Sequence, residues 1–102
     1  MNELGINQGK SGNVSARTDG GFLVTPTGIA YDETRPEQIV AMNLDGTHEG
    51  AVLPSSEWRF HRDIYAARSE LNAIVHSHAP CATTLACMDR SIPPFHYMVA
   101  AA

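Results

Sequence analysis

The sequence reads Ile74-Val75-His76-Ser77-His78 at its most informative point. An apolar run of this kind favours a β-strand, and side chains two residues apart on a strand point to the same face. We therefore expect His76 and His78 to stand side by side, an arrangement that suits a tetrahedral metal ion such as zinc. Upstream, Glu57 is the carboxylate expected to act as a further ligand or as a general base. A histidine pair with a purely structural role is the alternative.

Two other protein classes bind metals through His-x-His, and neither pattern continues here. A metallo-hydrolase would carry an aspartate where this chain has Pro80, and a cupin would carry a glutamate where Ala82 and Thr83 stand. Two imidazoles alone are too few for a closed zinc site. Further ligands must therefore come from elsewhere in the chain.

Three other histidines are candidates for further ligands. His61 follows Glu57 by one helical turn on the same face, His48 lies in the polar turn 45–50, and His96 follows a proline pair. For each of them, a surface or hydrogen-bonded histidine is the favoured interpretation. Glu57, taken by itself, also fits an ordinary charge at the start of a helix.

Composition limits the class of protein and its partners. The chain has 102 residues, 43% of them hydrophobic and 18% charged, which fits one soluble globular domain at most. A net charge of −4 without a basic stripe argues against nucleic acid as a partner. No apolar stretch could span a membrane and no signal peptide is visible, so we expect a cytoplasmic protein. Cys81 and Cys87 are expected to be reduced, small hydrophobic residues, with Cys81 as a soft metal ligand the minor alternative.

Turn signals and apolar periodicity predict a mixed α/β chain. A hairpin turn is expected at Asp19-Gly20-Gly21, and a connecting turn or short helix between Tyr31 and Glu37. The predicted strands are Val14–Arg17, Phe22–Thr25, Gln38–Leu44 and a buried strand at Asn72–His76.

Two helices are predicted around the last strand. The first is capped by Ser55 or Ser56, with Glu57 in its first turn. Its apolar side consists either of Phe60, Ile64 and Ala67 or of Trp58 and Tyr65. The second runs from Pro80, which suits a first helical turn, to about Met88.

Small residues in three loops favour an anion-binding site. The loops are Gly12-Asn13, Thr27-Gly28 and Ser55-Ser56. Glycines allow backbone N–H groups to approach a ligand, hydroxyls add donors, and a helix N-terminus favours negative charge. Each loop alone is ordinary turn material. Together with a metal-binding pair they indicate a phosphorylated small molecule as the ligand.

Four motifs match one family in order and spacing. They are Gly12-Asn13-Val14-Ser15, Thr25-Pro26-Thr27-Gly28-Ile29-x-Tyr31, Pro54-Ser55-Ser56-Glu57-Trp58-x-Phe60-His61 and Val75-His76-x-His78. The chain resembles, from about Leu4 to Ala102, the class II aldolase/adducin family. The resemblance implies a three-layer α/β/α fold with a largely antiparallel central sheet. It also implies a cyclic homotetramer with active sites between subunits.

The resemblance also implies a role for individual residues. His76 and His78 look like zinc ligands, and Glu57 looks like the residue that binds the metal at rest and then acts as acid/base. Tyr97 matches a tyrosine that reaches the site of a neighbouring subunit and assists protonation at the aldehyde oxygen. The residues that look like a phosphate cradle are Gly12, Asn13, Thr27, Gly28, Ser55 and Ser56.

The family pattern is incomplete in this chain. The third histidine ligand and a C-terminal tyrosine of the family lie further downstream, and the N-terminal helix ahead of the Gly-Asn loop is shortened. The last residues are apolar, without a cap or turn signal. We therefore expect residues 1–102 to be a partial class II aldolase/adducin domain that lacks the N-terminal helix and the C-terminal half.

The expected function is that of a zinc-dependent aldolase. Its substrate would be a ketose 1-phosphate of the L-fuculose 1-phosphate type, cleaved to dihydroxyacetone phosphate and an aldehyde. Sugar-phosphate 4-epimerases of the family carry aspartate where Glu57 stands, which favours the aldolase branch. Related dehydratases and decarboxylases, a non-catalytic adducin-like module and an inactive fragment are the alternatives.

Overall fold

The fold is built on a four-stranded antiparallel sheet, seen in a computed structural model that describes residues 3–98. Its strands are β1 (Asn13–Arg17), β2 (Gly21–Val24), β3 (Val40–Asn43) and β4 (Ala73–His76). Their order across the sheet is β3-β2-β1-β4, and every neighbouring pair is antiparallel. The predicted α/β class with a largely antiparallel sheet is confirmed.

The first three strands lie close to their predicted positions. The turn after β1 closes where Thr18 N donates to Gly21 O at 2.9 Å, so the predicted hairpin is present. Two short 3-10 helices, Tyr31–Glu33 and Pro36–Gln38, form the predicted connection. β3 begins later than predicted because Ile39 N donates to Pro36 O at 3.2 Å, which keeps this part of the chain in the preceding turn.

One face of the sheet carries both the core and the polar residues of the site. Because side chains alternate along a strand, Asn13 and Ser15 of β1 share a face with the apolar residues of β2 and β3. The buried apolar residues on this side are Phe22, Val24, Val40, Met42 and Tyr65. The ring centroids of Phe22 and Tyr65 are 5.3 Å apart.

Helix α1 (Trp58–Ala67) covers this face, but in a different orientation from the first one predicted. Phe60 is 59% exposed and Ile64 is also exposed, whereas Tyr65 is only 1% exposed. The side with Phe60, Ile64 and Ala67 was therefore the wrong choice, and the alternative with Trp58 and Tyr65 is correct. The reason is that the buried stripe also contains His61, whose polar atoms form hydrogen bonds with β1.

The N-terminal end of α1 also differs from the prediction. The helix begins at Trp58 with Glu57 as its N-cap residue, and no side chain caps it. Ser55 Oγ instead accepts a hydrogen bond from Glu57 N at 3.3 Å. The serines thus shape the turn before the helix, and Glu57 lies at the end of that turn and not in the first helical turn.

Arg17 of β1 fixes the C-terminal end of α1. Its guanidinium donates to Leu71 O at 2.7 Å, to Tyr65 O at 3.0 Å and to Arg68 O at 2.9 Å. A cation is favourable at the negative end of a helix, and the carbonyls of Tyr65 and Arg68 lie at that end, where the last carbonyls of a helix lack helical partners. α1 is thereby held along β1, which sets the position of the residues at its other end.

β4 was predicted to be buried, and this was wrong. It is an edge strand of the described sheet, and Val75 is 63% exposed. Val75 points away from α1, towards a face that in residues 3–98 also leaves Leu23 exposed. His76 and Ile74 point to the opposite face, where they are half-buried.

The second helix, α2 (Pro80–Cys87), lies where it was predicted, with Pro80 in its first turn. Cys81 and Cys87 are free thiols, as expected, but both are exposed instead of packed as hydrophobic residues. Among the residues that the structure describes, no helix has the length and hydropathy required to cross a membrane.

Candidate active site

Glu57, His76 and His78 form a compact cluster at the end of β4. The two Nε2 atoms are 3.0 Å apart. His76 Nε2 lies 3.3 Å from Glu57 Oε2, and His78 Nε2 lies 3.4 Å from Glu57 Oε1. Within residues 3–98, this is the one group of three or more histidine, cysteine or carboxylate side chains whose ligand atoms all lie within 4.8 Å of one another.

The donor set and spacing of the cluster fit a metal ion. Imidazole nitrogen and carboxylate oxygen are both zinc ligands. Two such atoms bound to a tetrahedral zinc ion at about 2.0–2.1 Å would lie about 3.3 Å apart, which is close to the separations in the cluster. The sequence prediction that the two imidazoles stand side by side with Glu57 within reach agrees with this geometry.

Strand pairing and one buried asparagine bring the two histidines together. His76 pairs with Asn13 across the β1–β4 ladder, so its ring faces the side covered by α1. His78 lies just beyond the strand, where its backbone N–H donates to Asn7 Oδ1 at 2.9 Å. The two rings meet edge to face, with their planes at 88°. The ring of Phe60 stacks on that of His76, with 5.9 Å between the ring centroids.

The carboxylate of Glu57 is held in its ionised form. Partial burial alone would raise its pKa, but the hydrogen bond from Asn13 and the nearby imidazoles of His76 and His78 together lower the pKa below its usual value. Asn13 Nδ2 donates to Glu57 Oε2 at 2.8 Å. An ionised carboxylate suits a metal ligand or a proton acceptor.

A polar cavity of about 260 Å³ adjoins the cluster. Its lining includes Glu57 and His78 together with all of the residues predicted to hold a phosphate, namely Gly12, Asn13, Thr27, Gly28, Ser55 and Ser56. The three loops that were picked out separately in the sequence therefore converge beside the candidate metal ligands.

Backbone hydrogen bonds join two of these loops. Thr27 N donates to Leu53 O at 3.1 Å, and Ser55 N donates to Thr25 O at 3.0 Å. These two bonds flank a bridge between Pro26 and Pro54. As a result, the Thr-Gly pair and the Ser-Ser pair open into the same cavity.

Glycine is required at position 12. Gly12 has a φ of +80°, and a Cβ atom there would lie 2.7 Å from the carbonyl oxygen of His76. A side chain would therefore be strained by the backbone conformation and would also collide with β4. The Gly-Asn loop can approach the histidine strand only because this residue lacks a side chain.

Two contributors to the cavity and its frame were missed in the sequence. Lys10 lines the cavity, and its Nζ donates to Gly28 O at 3.3 Å. Asn7 is buried and holds the backbone of His78, as described above. Both residues lie in an aperiodic loop, where the available signal was their closeness in sequence to Gly12-Asn13.

Tyr97 does not reach this cavity in the described chain. It is 75% exposed, and its ring lies 4.5 Å from that of His96. Its expected contact with the site of a neighbouring subunit stays a prediction.

The remaining ligand candidates stay apart from the cluster. His96 is exposed, and its Nδ1 accepts a hydrogen bond from Met98 N at 3.2 Å. His48 is half-buried, with a buried Nδ1 that has no hydrogen-bond partner within residues 3–98, so the surface or hydrogen-bonded interpretation fails for this atom. Cys81 is exposed and does not belong to the cluster.

His61 is buried and hydrogen-bonded, in agreement with the interpretation favoured from the sequence. Ser15 Oγ lies 2.6 Å from its Nδ1, and Asn13 Oδ1 is the partner of its Nε2. Burial is the main cause that lowers the pKa of His61, followed by the nearby His76, while Glu57 acts in the opposite direction. His61 thus lies behind the cluster and not in it.

Curated relatives share this sequence over almost its whole length. The L-fuculose phosphate aldolase of Escherichia coli K12 is 51% identical over 102 residues, which is 100% of this chain and 47% of the relative. The 5-methylthioribulose-1-phosphate/5-deoxyribulose-1-phosphate aldolase of Rhodospirillum rubrum is 52% identical over 99 residues, 97% of this chain and 45% of the relative. The chain therefore spans about half the length of these relatives.

A solved structure and a family model give the same result. A structure described as L-fuculose 1-phosphate aldolase matches with a TM-score of 0.89 and 39% identity, over 96% of this chain and 48% of the other. The class II aldolase-like fold implied by the four motifs is thereby confirmed. The family model described as the class II aldolase and adducin N-terminal domain matches residues 1–102. The chain belongs to the class II aldolase and adducin family.

Proposed function

We propose that the protein is a zinc-dependent aldolase that cleaves a ketose 1-phosphate into dihydroxyacetone phosphate and an aldehyde, with L-fuculose 1-phosphate as the type substrate. The observation that carries the proposal is that the Glu57–His76–His78 cluster adjoins the cavity lined by the predicted phosphate cradle. A phosphate and a metal-binding carbonyl group of one small molecule require such neighbouring sites. The name and similarity of the Escherichia coli relative support the substrate class.

The reaction needs stabilisation of negative charge. When the bond between C3 and C4 of a ketose 1-phosphate breaks, C4 becomes the aldehyde and the electron pair stays on C3, next to the carbonyl group. A zinc ion bound by this cluster would supply Lewis-acid stabilisation of that charge. The proton lost from the C4 hydroxyl and the proton gained at C3 balance the reaction.

Glu57 is the residue proposed to move the proton at C3. In the direction of condensation, its ionised carboxylate accepts that proton from dihydroxyacetone phosphate. In the direction of cleavage, it returns the proton to C3. The lowered pKa of Glu57 fits the acceptor role of the resting protein.

The cradle is proposed to anchor the phosphate so that the reacting carbons meet the cluster. Hydroxyl and amide groups of Asn13, Thr27, Ser55 and Ser56 line the cavity and offer neutral donors. Lys10 adds a cation at its rim. Fixing a substrate at its unreactive end converts binding energy into orientation at the reacting end.

Several finer points belong to the proposal as well. These are zinc as the metal, a homotetramer with Tyr97 acting at a neighbouring site, and a cytoplasmic location. Glu57 and both histidines are in place, which favours a catalytic protein over an adducin-like module. Glutamate at position 57, where the 4-epimerases of the family carry aspartate, favours an aldolase over an epimerase.

A second candidate substrate is 5-deoxyribulose 1-phosphate or its 5-methylthio analogue. The Rhodospirillum rubrum relative is named for these compounds and matches this chain as well as the fuculose enzyme does. Both substrate classes share the dihydroxyacetone phosphate half. The same cradle and cluster would therefore serve either one.

The test is release of dihydroxyacetone phosphate by the purified, zinc-loaded protein, measured with each ketose phosphate. We expect release from one of them and loss of release in the double variant His76→Ala with His78→Ala. The exposed His96→Ala is the matched control and should retain activity. Normal turnover by the double variant would overturn the metal role, and no release from either compound by the wild type would overturn the aldolase proposal.

A further inference from the structure

A line of buried polar groups leads from the core to the Glu57 carboxylate. The N-cap residue Glu57 and two residues of α1, His61 and Tyr65, follow one another at intervals of four and face β1. Ser15 Oγ is 2.8 Å from Tyr65 OH and 2.6 Å from His61 Nδ1. Asn13 bonds to His61 Nε2 through its Oδ1 and to Glu57 through its Nδ2.

Chemistry fixes the direction of every bond in this line. The amide nitrogen of Asn13 donates to Glu57 Oε2 at 2.8 Å, so its amide oxygen faces His61. That oxygen only accepts, so His61 carries its proton on Nε2. Its Nδ1 is then an acceptor for the Ser15 hydroxyl, and Ser15 in turn accepts from Tyr65.

We propose that His61 is a positioning residue, which orients the Asn13 amide and thereby holds the Glu57 carboxylate against the two histidines. The proposal rests on the proposed function, since it concerns how that metal site is held. A flipped Asn13 amide would present its oxygen to the carboxylate, and the two acceptors would repel each other. The Nε2 proton of His61 works against this flip because it has no other hydrogen-bond acceptor in the described structure.

Burial strengthens the effect of His61 on the orientation of Asn13. His61 is 0% exposed, and Asn13 and Ser15 are also buried. Water therefore cannot replace a lost partner at low cost. Residues that orient a metal ligand from behind typically contribute about 10- to 100-fold to metal affinity.

Two variants of similar size separate this role from a merely structural one. In His61→Gln, the terminal amide nitrogen reaches towards the position of Nε2 and can still donate to Asn13. In His61→Asn, the shorter side chain replaces only the Nδ1 side and can accept from Ser15. Zinc and cobalt affinities of the 102-residue chain are measured by titration, with near-ultraviolet circular dichroism to confirm folding.

We expect His61→Asn to bind both metals about 10-fold more weakly than the wild type, and His61→Gln to stay close to the wild type. Equal affinities in the two folded variants, whether both weakened or both unchanged, would overturn the proposal. Wild-type chain that binds neither metal would instead contradict the proposed metal site, so the two failures are distinguishable.

A second measurement does not depend on either variant folding. Nitrogen-15 NMR of imidazole-labelled, metal-free wild type at neutral pH should show His61 protonated at Nε2 and unprotonated at Nδ1. A proton on Nδ1 alone would leave Nε2 without a proton to donate to Asn13 and would refute the positioning role, whatever the enzyme's activity.

Discussion

Replacing Ser15 by alanine should destabilise the protein far more than replacing Tyr65 by phenylalanine. Both changes remove the hydrogen bond of 2.8 Å between these residues. They differ in what they leave behind. Ser15→Ala leaves both the Tyr65 hydroxyl and the Nδ1 atom of His61 without a hydrogen-bond partner. In Tyr65→Phe, by contrast, the Ser15 hydroxyl still donates to His61.

The magnitudes follow from burial. Tyr65 and His61 are both essentially inaccessible to solvent, and each buried polar group without a partner costs about 1–3 kcal/mol. Ser15→Ala should thus lower the free energy of unfolding by about 2–6 kcal/mol. Tyr65→Phe loses one ordinary hydrogen bond, about 0.5–1.5 kcal/mol. The first value is a large share of the roughly 5–15 kcal/mol that is typical of a domain.

The double variant gives the sharpest result. In the Ser15→Ala background, Tyr65→Phe removes a stranded hydroxyl, so it should be neutral or stabilising there. The expected coupling is within the range of about 0.5–3 kcal/mol seen for residues in contact. Urea unfolding at neutral pH, followed by circular dichroism, measures all four proteins, and an unchanged m-value shows that the same transition is compared. Additive effects would refute the hydrogen bond between the two side chains, and a cost for Ser15→Ala no larger than that of Tyr65→Phe would refute the assigned bond directions.

Three further predictions concern zinc retention, phosphate binding and the pH dependence of stability. The 102-residue chain should lose zinc on dialysis against a chelator, because two imidazoles and one carboxylate leave the site open; stoichiometric zinc by atomic absorption would contradict this. Lys10→Gln should weaken the binding of inorganic phosphate about two- to fivefold at low salt, whereas Lys10→Arg should bind phosphate like the wild type. The difference should vanish at high salt, where charges are screened. Equal affinities of Lys10→Gln and wild type at low salt, measured by calorimetry, would disprove this prediction. Burial lowers the pKa of His61 in the folded chain. Below about pH 6.5, His61 therefore binds a proton in the unfolded chain more readily than in the folded chain. Stability should therefore fall as the pH drops below that value, by at most about 1.4 kcal/mol per pH unit, and His61→Gln should reduce this slope in urea titrations at several pH values.

The sequence was most informative where covalent geometry alone sets the outcome. Alternation along a strand was enough to predict that His76 and His78 point to the same side, although His78 lies just beyond β4 and Asn7 also holds it there. The orientation of α1 could not be predicted in this way. Its buried stripe contains His61, and hydrophobicity cannot identify a polar residue whose partners lie on a strand 46 residues earlier in the chain.

Other errors have the same origin in long-range structure. The burial of β4 depends on whether a strand lies at the edge of the sheet, and this is decided by pairing partners that the local pattern does not contain. Lys10 and Asn7 act through an aperiodic loop, whose path depends on contacts with Gly28 and His78. Residue types were therefore predictable, while the contacts that give them a role were not.

The buried polar line joins the stability of the fold to the geometry of the site. Apolar side chains of similar shape at positions 15, 61 and 65 could fill the space between α1 and β1 at little cost, because a buried polar pair is often no more stabilising than an apolar one. Packing alone therefore does not account for the polar character of this interface. What an apolar interface cannot do is fix the direction of the Asn13 amide, which lies where the line meets the cavity. The same hydrogen bonds that make Ser15 costly to remove also determine which atom of Asn13 faces Glu57, so a change deep between helix and strand should alter the metal site even when every ligand is intact.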